Sequence, residues 1–155
     1  MQTSETLANH LEQLFFGKNW TGSSFREALK DLSWEKATQS YKGCNSIAVL
    51  LYHVVYYIRV QKKVLEGGPL SGNDQESFQA PKVHNEMEWQ KLQEELLQDV
   101  KGMVTLLNSF SEEKLPKAFA DSSYGSYLRN FIGVLEHSHY HLGQIVLLKK
   151  LISQS

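Results

Sequence analysis

The sequence predicts an all-α protein, a bundle of four amphipathic helices in one domain that spans residues 1–155. Three observations lead to this prediction. Four long segments place their apolar residues three and four positions apart, which is the period of a helix. No segment alternates apolar and polar residues as a half-buried strand does. Glycine, proline and asparagine punctuate the stretches between the four segments, where turns are expected.

The first two helices are predicted on either side of a long connection. The first covers residues 4–16, and Gly17 ends it. The second begins near Asn45, a good N-cap, and ends at the Gly-Gly-Pro sequence of residues 67–69. The connection between them should form one or two short helical turns, packed by its apolar side chains. These are Trp20, Phe25, Leu29, Leu32 and Trp34.

The third and fourth helices follow two polar connections. Residues 70–83 contain glycine, asparagine and proline and are predicted to be a loop. Asn85 and Glu88 resemble a capping box, which opens the third helix. The fourth helix is predicted from about Ser123 to Ile152. Four such helices without a sheet favour a helical bundle.

Composition and charge exclude several classes of partner. The 155 residues carry a formal net charge of −1 and no run of basic residues, so we expect neither nucleic acid nor a membrane surface as a partner. Residues 47–60 are apolar on nearly every side but too short to cross a bilayer, which needs about 20 apolar residues. We expect this stretch to be a central helix that also meets a second subunit.

The cellular compartment is predicted from the first residues and from cysteine usage. The N-terminus has neither a basic segment nor an apolar one after it, so no signal peptide is expected. Cys44 is the single cysteine, which rules out a disulfide within the chain and fits a reducing compartment. We therefore expect a cytoplasmic protein.

Histidines supply the main chemical signal of the sequence. His137 and His141 stand four residues apart and share a helical face, whereas His139 points about 200° away from His137. His53 lies in the middle of the most apolar helix, where an unpaired imidazole would cost about 1–3 kcal/mol. Three inward imidazoles on facing helices would satisfy one another by binding a divalent metal ion such as Zn²⁺, Ni²⁺, Cu²⁺ or Fe²⁺.

Two other interpretations of the histidines stay open. The three side chains could be hydrogen-bonded core residues without a metal, and His84 is a weak reserve ligand that could fill a fourth position. A zincin site is not indicated, because Glu136 precedes His137 whereas the glutamate of that motif follows its first histidine. Three protein ligands would leave a position open, as in catalytic zinc sites.

The chain also resembles a known family, the DinB/YfiT-like superfamily. The resemblance rests on Asn45-Ser46-Ile47-Ala48 before Leu50-Leu51 and His53, and on His137-x-x-Tyr140-His141-x-Gly143-Gln144-Ile145 far downstream, with Trp20, Trp34 and Trp89 in support. It implies a four-helix bundle in the up-down-down-up arrangement, commonly a homodimer. It also implies one divalent metal ion, zinc or nickel, held by His53, His137 and His141.

The activity implied by the resemblance is less specific. Some members are transferases or isomerases that use low-molecular-weight thiols such as bacillithiol or mycothiol, and others are metal-dependent hydrolases. We expect a metal-dependent enzyme that activates a thiol or water towards a small-molecule substrate, with Gln144 and Tyr140 as candidate cofactor-binding residues. Catalytic residues are not assigned. No carboxylate falls on the histidine face, which favours the thiol. The alternative is a non-catalytic, metal-stabilised, dimeric, stress-related binding protein.

Overall fold

The computed structural model describes residues 2–154. The regular secondary structure of these residues is helical and includes no strand, so the prediction of an all-α protein is confirmed. Short 3-10 turns lie at residues 112–114 and 122–124. None of the helices in this part of the chain is long and apolar enough to cross a membrane. The α-helices, in chain order, are α1 (Thr3–Phe16), α2 (Phe25–Leu29), α3 (Trp34–Thr38), α4 (Ile47–Leu65), α5 (Asp74–Ser77), α6 (Glu86–Asn108) and α7 (Tyr127–Gln154).

Four long helices surround the core. Helix α1 packs against α6 and α7, and α4 packs against the same two helices. Phe15 of α1 and Phe25 of α2 stack with their ring centroids 4.2 Å apart, which fixes the short helix α2 to the core. One face of α7 is buried along its whole length. It consists of Phe131, Val134, Ser138, His141, Ile145 and Leu148.

Helix ends are set by local hydrogen bonds and by glycine. The N-cap of α4 is Ser46, whose Oγ accepts from the Val49 amide at 3.3 Å, so the prediction of Asn45 was off by one residue. Helix α4 ends at Leu65, and Gly67 follows with φ of 86°, a left-handed conformation that favours glycine. Asn85 caps α6 as predicted, because its Oδ1 accepts from the Glu88 amide at 2.9 Å.

Two predictions about the remaining segments were wrong. Helix α7 begins at Tyr127 rather than Ser123, because Gly125 has φ of 77° and separates the helix from a preceding 3-10 turn. Trp20 was expected to pack on the core, but it is fully exposed at 101%. It lies in a turn in which the Asn19 side chain accepts from the Thr21 amide, ahead of α2.

The connection between α4 and α6 was predicted to be a loop, but it contains α5. Asn73 caps this short helix, since its Oδ1 accepts from the Gln75 amide at 2.8 Å. Tyr56 of α4 holds it in place. The Tyr56 hydroxyl accepts from the Asn73 amide at 2.8 Å and donates to Glu76 Oε2 at 3.2 Å. Helix α5 therefore lies against the part of α4 that carries His53.

Candidate metal centre

Three histidines from two helices meet at the junction of α4 and α7. His53 comes from α4, and His137 and His141 come from successive turns of α7. One ring nitrogen of each lies within 4.8 Å of the other two, a grouping that could hold a metal ion. His53 and His141 are buried, and His137 is half-buried. The structure thus brings together the three residues that the sequence singled out.

The tautomer of His53 follows from its neighbours. Its Nδ1 lies 2.8 Å from Ser77 Oγ, and that hydroxyl donates its only proton to the Asp74 carbonyl oxygen at 2.6 Å. Ser77 must therefore accept from His53, so Nδ1 carries the proton and Nε2 presents its lone pair. His137 Nε2, 3.0 Å away, donates to that lone pair, and a metal ion would take the place of this shared proton.

His141 is oriented in the same way by an amide. Its Nδ1 lies 2.7 Å from Gln144 Oε1, an oxygen that can only accept, so Nδ1 carries the proton and Nε2 is free. Histidines that ligate metals usually donate their other N–H to an oxygen of this kind. In the structure, Gln144 thus orients His141. Its role in binding a cofactor stays a prediction.

Burial keeps all three rings neutral. Desolvation first, and then the charges of His141 and His53, lower the pKa of His137 to about 4, against a smaller opposing effect of Asp74. Desolvation and then the charge of His141 lower the pKa of His53, against a smaller opposing effect of Asp74. The pKa of His141 is lowered by desolvation, while its hydrogen bond with Gln144 acts in the opposite direction. Neutral imidazole is the form that ligates a metal, so the cluster needs no deprotonation at neutral pH.

Aromatic side chains fix the ring of His53. Phe78 stacks on it, with centroids 3.9 Å apart and planes 14° from parallel. Tyr57 meets the rings of His53 and His137 edge-on, at centroid distances of 5.3 Å and 5.1 Å. Sequence reasoning missed Phe78, because it lies in the segment that was predicted to be a loop.

A carboxylate lies beside the cluster, on a segment that the sequence prediction did not consider. A cavity of about 490 Å³ opens beside the histidines, and Asp74 and Tyr57 line it together with His53 and His137. The Tyr57 hydroxyl donates to Asp74 Oδ1 at 2.9 Å. Burial, and then its hydrogen bond with Asp74, raise the pKa of Tyr57, so the hydroxyl stays protonated. The prediction considered only the helix that carries the histidine pair, whereas the carboxylate comes from α5.

The other side of the cluster opens into a more apolar groove of about 630 Å³. His141 and Gln144 line its inner end, and Leu147, Tyr140 and Cys44 are among the residues that line the rest. Tyr140 is 65% exposed, and its ring meets the edge of His141 at a centroid distance of 5.0 Å. The role of Tyr140 in binding a cofactor stays a prediction. Cys44, which also lines the groove, is exposed.

Three further histidines lie outside the cluster. His139 is held by the Leu135 carbonyl oxygen at 2.9 Å from its Nδ1, and His10 and His84 are exposed. None of them belongs to the group of possible ligands found within residues 2–154. His84 is therefore not a fourth ligand in this arrangement. Glu136, the residue before His137, is exposed and pairs with Arg129 at 3.0 Å.

Fold and site together define an all-α protein with a three-histidine centre that could hold a divalent metal. The profile of the DinB superfamily matches residues 19–145, a stretch that includes all three histidines. The chain belongs to the DinB superfamily. Comparisons with curated proteins and with solved structures gave no match.

Proposed function

We propose that this protein binds one divalent metal ion, zinc or nickel, through His53, His137 and His141, and that it is a metal-dependent enzyme acting on a small molecule. The observation that carries the proposal is the convergence of three neutral rings, two of which have a protonated Nδ1 and an unprotonated Nε2. Imidazole nitrogen suits zinc and nickel. Superfamily membership is compatible with the same metal site.

The proposed chemistry is activation of a nucleophile. When bound, the cation would lower the pKa of a thiol or a water molecule at the coordination position that three protein ligands leave open. A low-molecular-weight thiol would make the protein an S-transferase, and water would make it a hydrolase. Asp74 beside the cluster supplies the carboxylate that a hydrolase needs, so the earlier reason to prefer the thiol no longer applies.

Residues around the cavity have distinct roles in this proposal. Tyr57, kept protonated, is a hydrogen-bond donor, and Asp74 is an acceptor for its proton or for that of a ligand. Arg129, whose guanidinium also pairs with Glu136 at 3.0 Å, lines the same cavity. On the other side, Tyr140 and Leu147 would cover the apolar part of a substrate. The site would therefore take molecules that combine a polar end with an apolar one.

The wider architecture is proposed on coarser grounds. We infer that α1, α4, α6 and α7 form the up-down-down-up bundle of the superfamily, since each packs against two of the others. A homodimer is proposed as well, supported by three exposed apolar side chains on α7: Ile132, Tyr140 and Leu147. A cytoplasmic location fits the single free cysteine.

The rival proposal is a metal-stabilised dimeric binding protein without turnover, with a stress-related role. It requires a fourth protein ligand, which would have to come from a partner subunit because the group within residues 2–154 consists of three histidines. Metal content and activity together distinguish the two proposals.

The first experiment is elemental analysis of protein purified without a histidine tag. Wild type should contain one zinc or nickel ion per chain, and His53→Ala and His141→Ala should lose it. His10→Ala is the matched control, since that side chain is exposed and far from the cluster along the sequence. Wild type that stays metal-free after incubation with Zn²⁺ and Ni²⁺ would contradict the proposal.

Turnover is then measured on the metal-loaded protein. Thiols are paired with chromogenic electrophiles, and ester and amide hydrolysis is measured without thiol. Thiol-dependent turnover that disappears in His53→Ala supports the transferase, and thiol-independent hydrolysis supports the hydrolase. A fully loaded protein inactive in both assays favours the binding protein.

A further inference from the structure

We propose that Ser77 is a positioning residue that holds His53 in its metal-binding tautomer and thereby sets the affinity of the site. Nothing in the sequence pattern singled out this residue, which lies in the connection between α4 and α6. The inference rests on the proposed metal binding by His53. It concerns a side chain that ligates nothing itself.

The direction of each hydrogen bond at Ser77 is determined. Ser77 is fully buried at 0% exposure, so no solvent competes for its hydroxyl. Its Oγ lies 2.6 Å from the Asp74 carbonyl oxygen, which can only accept, and 2.8 Å from His53 Nδ1. The single hydroxyl proton goes to Asp74, so the proton between Ser77 and His53 must belong to the histidine.

The consequence appears on the opposite edge of the ring. With Nδ1 protonated, His53 Nε2 presents a lone pair towards the space it shares with His137 and His141. In the other tautomer, a proton would occupy that space and Nε2 could not ligate. The hydrogen bond at one nitrogen of a histidine decides which nitrogen is free for a metal.

Helix α5 is held so that Ser77 cannot drift from this position. His53, Tyr56 and Tyr57 stand at i, i+3 and i+4 on α4 and therefore share one face. Tyr56 bonds both Asn73 and Glu76, and Tyr57 bonds Asp74. Phe78, the next residue after Ser77, stacks on His53. The same face of α4 thus presents the candidate ligand and clamps the segment that orients it.

The test is zinc affinity, measured by competition with a chromogenic chelator. Ser77→Ala should lower the affinity by about 10–100-fold, the usual effect of losing a partner of a metal-bound histidine. Ser138→Ala is the matched control. Ser138 is also 0% exposed and adjoins His137 in the sequence, but its Oγ has no hydrogen-bond partner. Its substitution should leave the affinity unchanged.

A second pair of variants separates the hydrogen bond from packing. Ser77→Thr and Ser77→Val have nearly the same shape, and only threonine keeps a hydroxyl. Threonine should retain most of the affinity that valine loses. Circular dichroism shows whether each variant folds. The comparison of the threonine and valine variants does not depend on the alanine variant. Equal affinity of the two variants would overturn the proposal.

The tautomer itself is read by nitrogen NMR of metal-free protein with labelled histidine. Wild type should have His53 protonated at Nδ1, and Ser77→Val should have a mixture or the Nε2 form. An unchanged tautomer in Ser77→Val, or wild-type zinc affinity in Ser77→Ala, would overturn the role of Ser77 alone. A wild type without affinity for zinc or nickel would overturn the proposed function as well, so the two failures are distinguishable.

Discussion

The neutral histidine cluster makes the stability of the metal-free protein depend on pH below neutrality. The pKa of His137 is about 4 in the folded protein against 6.5 for an ordinary histidine. The unfolded chain therefore binds more protons as the pH falls below about 6.5, and the free energy of unfolding decreases until the folded state is protonated near pH 4. His53 and His141 act in the same direction, because their pKa values are lowered too.

The size of the effect follows from the two pKa values of His137. For one group that titrates at about 4 when folded and 6.5 when unfolded, the contribution to stability falls by about 2 kcal/mol between pH 7 and pH 5. His137 is half-buried, and solvent screening reduces this to about 1 kcal/mol. The other two histidines add losses of the same sign.

Urea unfolding of metal-free protein at pH 7 and pH 5 measures this loss. The variant His137→Gln removes the titrating group and keeps a polar side chain, so its stability should fall by about 1 kcal/mol less than that of wild type between the two pH values. His10→Gln changes an exposed histidine and should behave as wild type. An equal loss in wild type and His137→Gln would refute the reasoning.

Three further predictions concern ligand binding and the backbone. Zinc at 100 times its dissociation constant should raise the free energy of unfolding by about 2.7 kcal/mol and Tm by about 5–10 °C, as measured by calorimetry, with no rise in His53→Ala. Gly67→Ala should lower the free energy of unfolding by about 1 kcal/mol in urea unfolding, because φ is 86° at this position. Gly143→Ala should raise it by about 0.5–1 kcal/mol, because Gly143 lies in a helix and a Cβ there would meet open space. Tyr57→Phe should lower the free energy of unfolding by about 1 kcal/mol in urea unfolding, because the hydrogen bond to Asp74 is lost.

The histidine grouping could be predicted because the helical period fixes which residues share a face. His137 and His141 are one turn apart, and α7 places both towards α4. His53 was recognisable as a polar residue within an apolar stretch that had to be buried. These arguments need only a long regular helix, and such elements leave the clearest pattern in a sequence.

Helix α5 could not be predicted in the same way. Its four residues, Asp74–Ser77, are too few for a periodic pattern, and it is held by tertiary contacts with Tyr56 and Tyr57. The sequence of α4, the helix that holds α5, did contain a signal that could have indicated this contact. His53, Tyr56 and Tyr57 lie on one face of an apolar helix and need hydrogen-bond partners, and the polar connection that follows was a segment that could supply them.

The contact between Gln144 and His141 could be predicted only in part. Residues three apart on a helix are neighbours, so Gln144 can reach His141, whereas His137 lies about two turns away. The amide selects His141 because that ring turns its Nδ1 towards Oε1 at 2.7 Å. Spacing predicts which residues are neighbours, but it does not predict which ring nitrogen of His141 faces the amide.

X-ray absorption of the zinc-loaded protein, with and without added thiol, tests the central claim most directly. The account predicts three imidazole nitrogens at about 2.0–2.1 Å and one exchangeable light ligand, replaced by a sulfur at about 2.3 Å when a thiol substrate binds. If water is the nucleophile, we expect the same three imidazoles, with a fourth coordination position that a small anion can occupy. Four permanent protein ligands, or fewer than three imidazoles, would contradict the open three-histidine site.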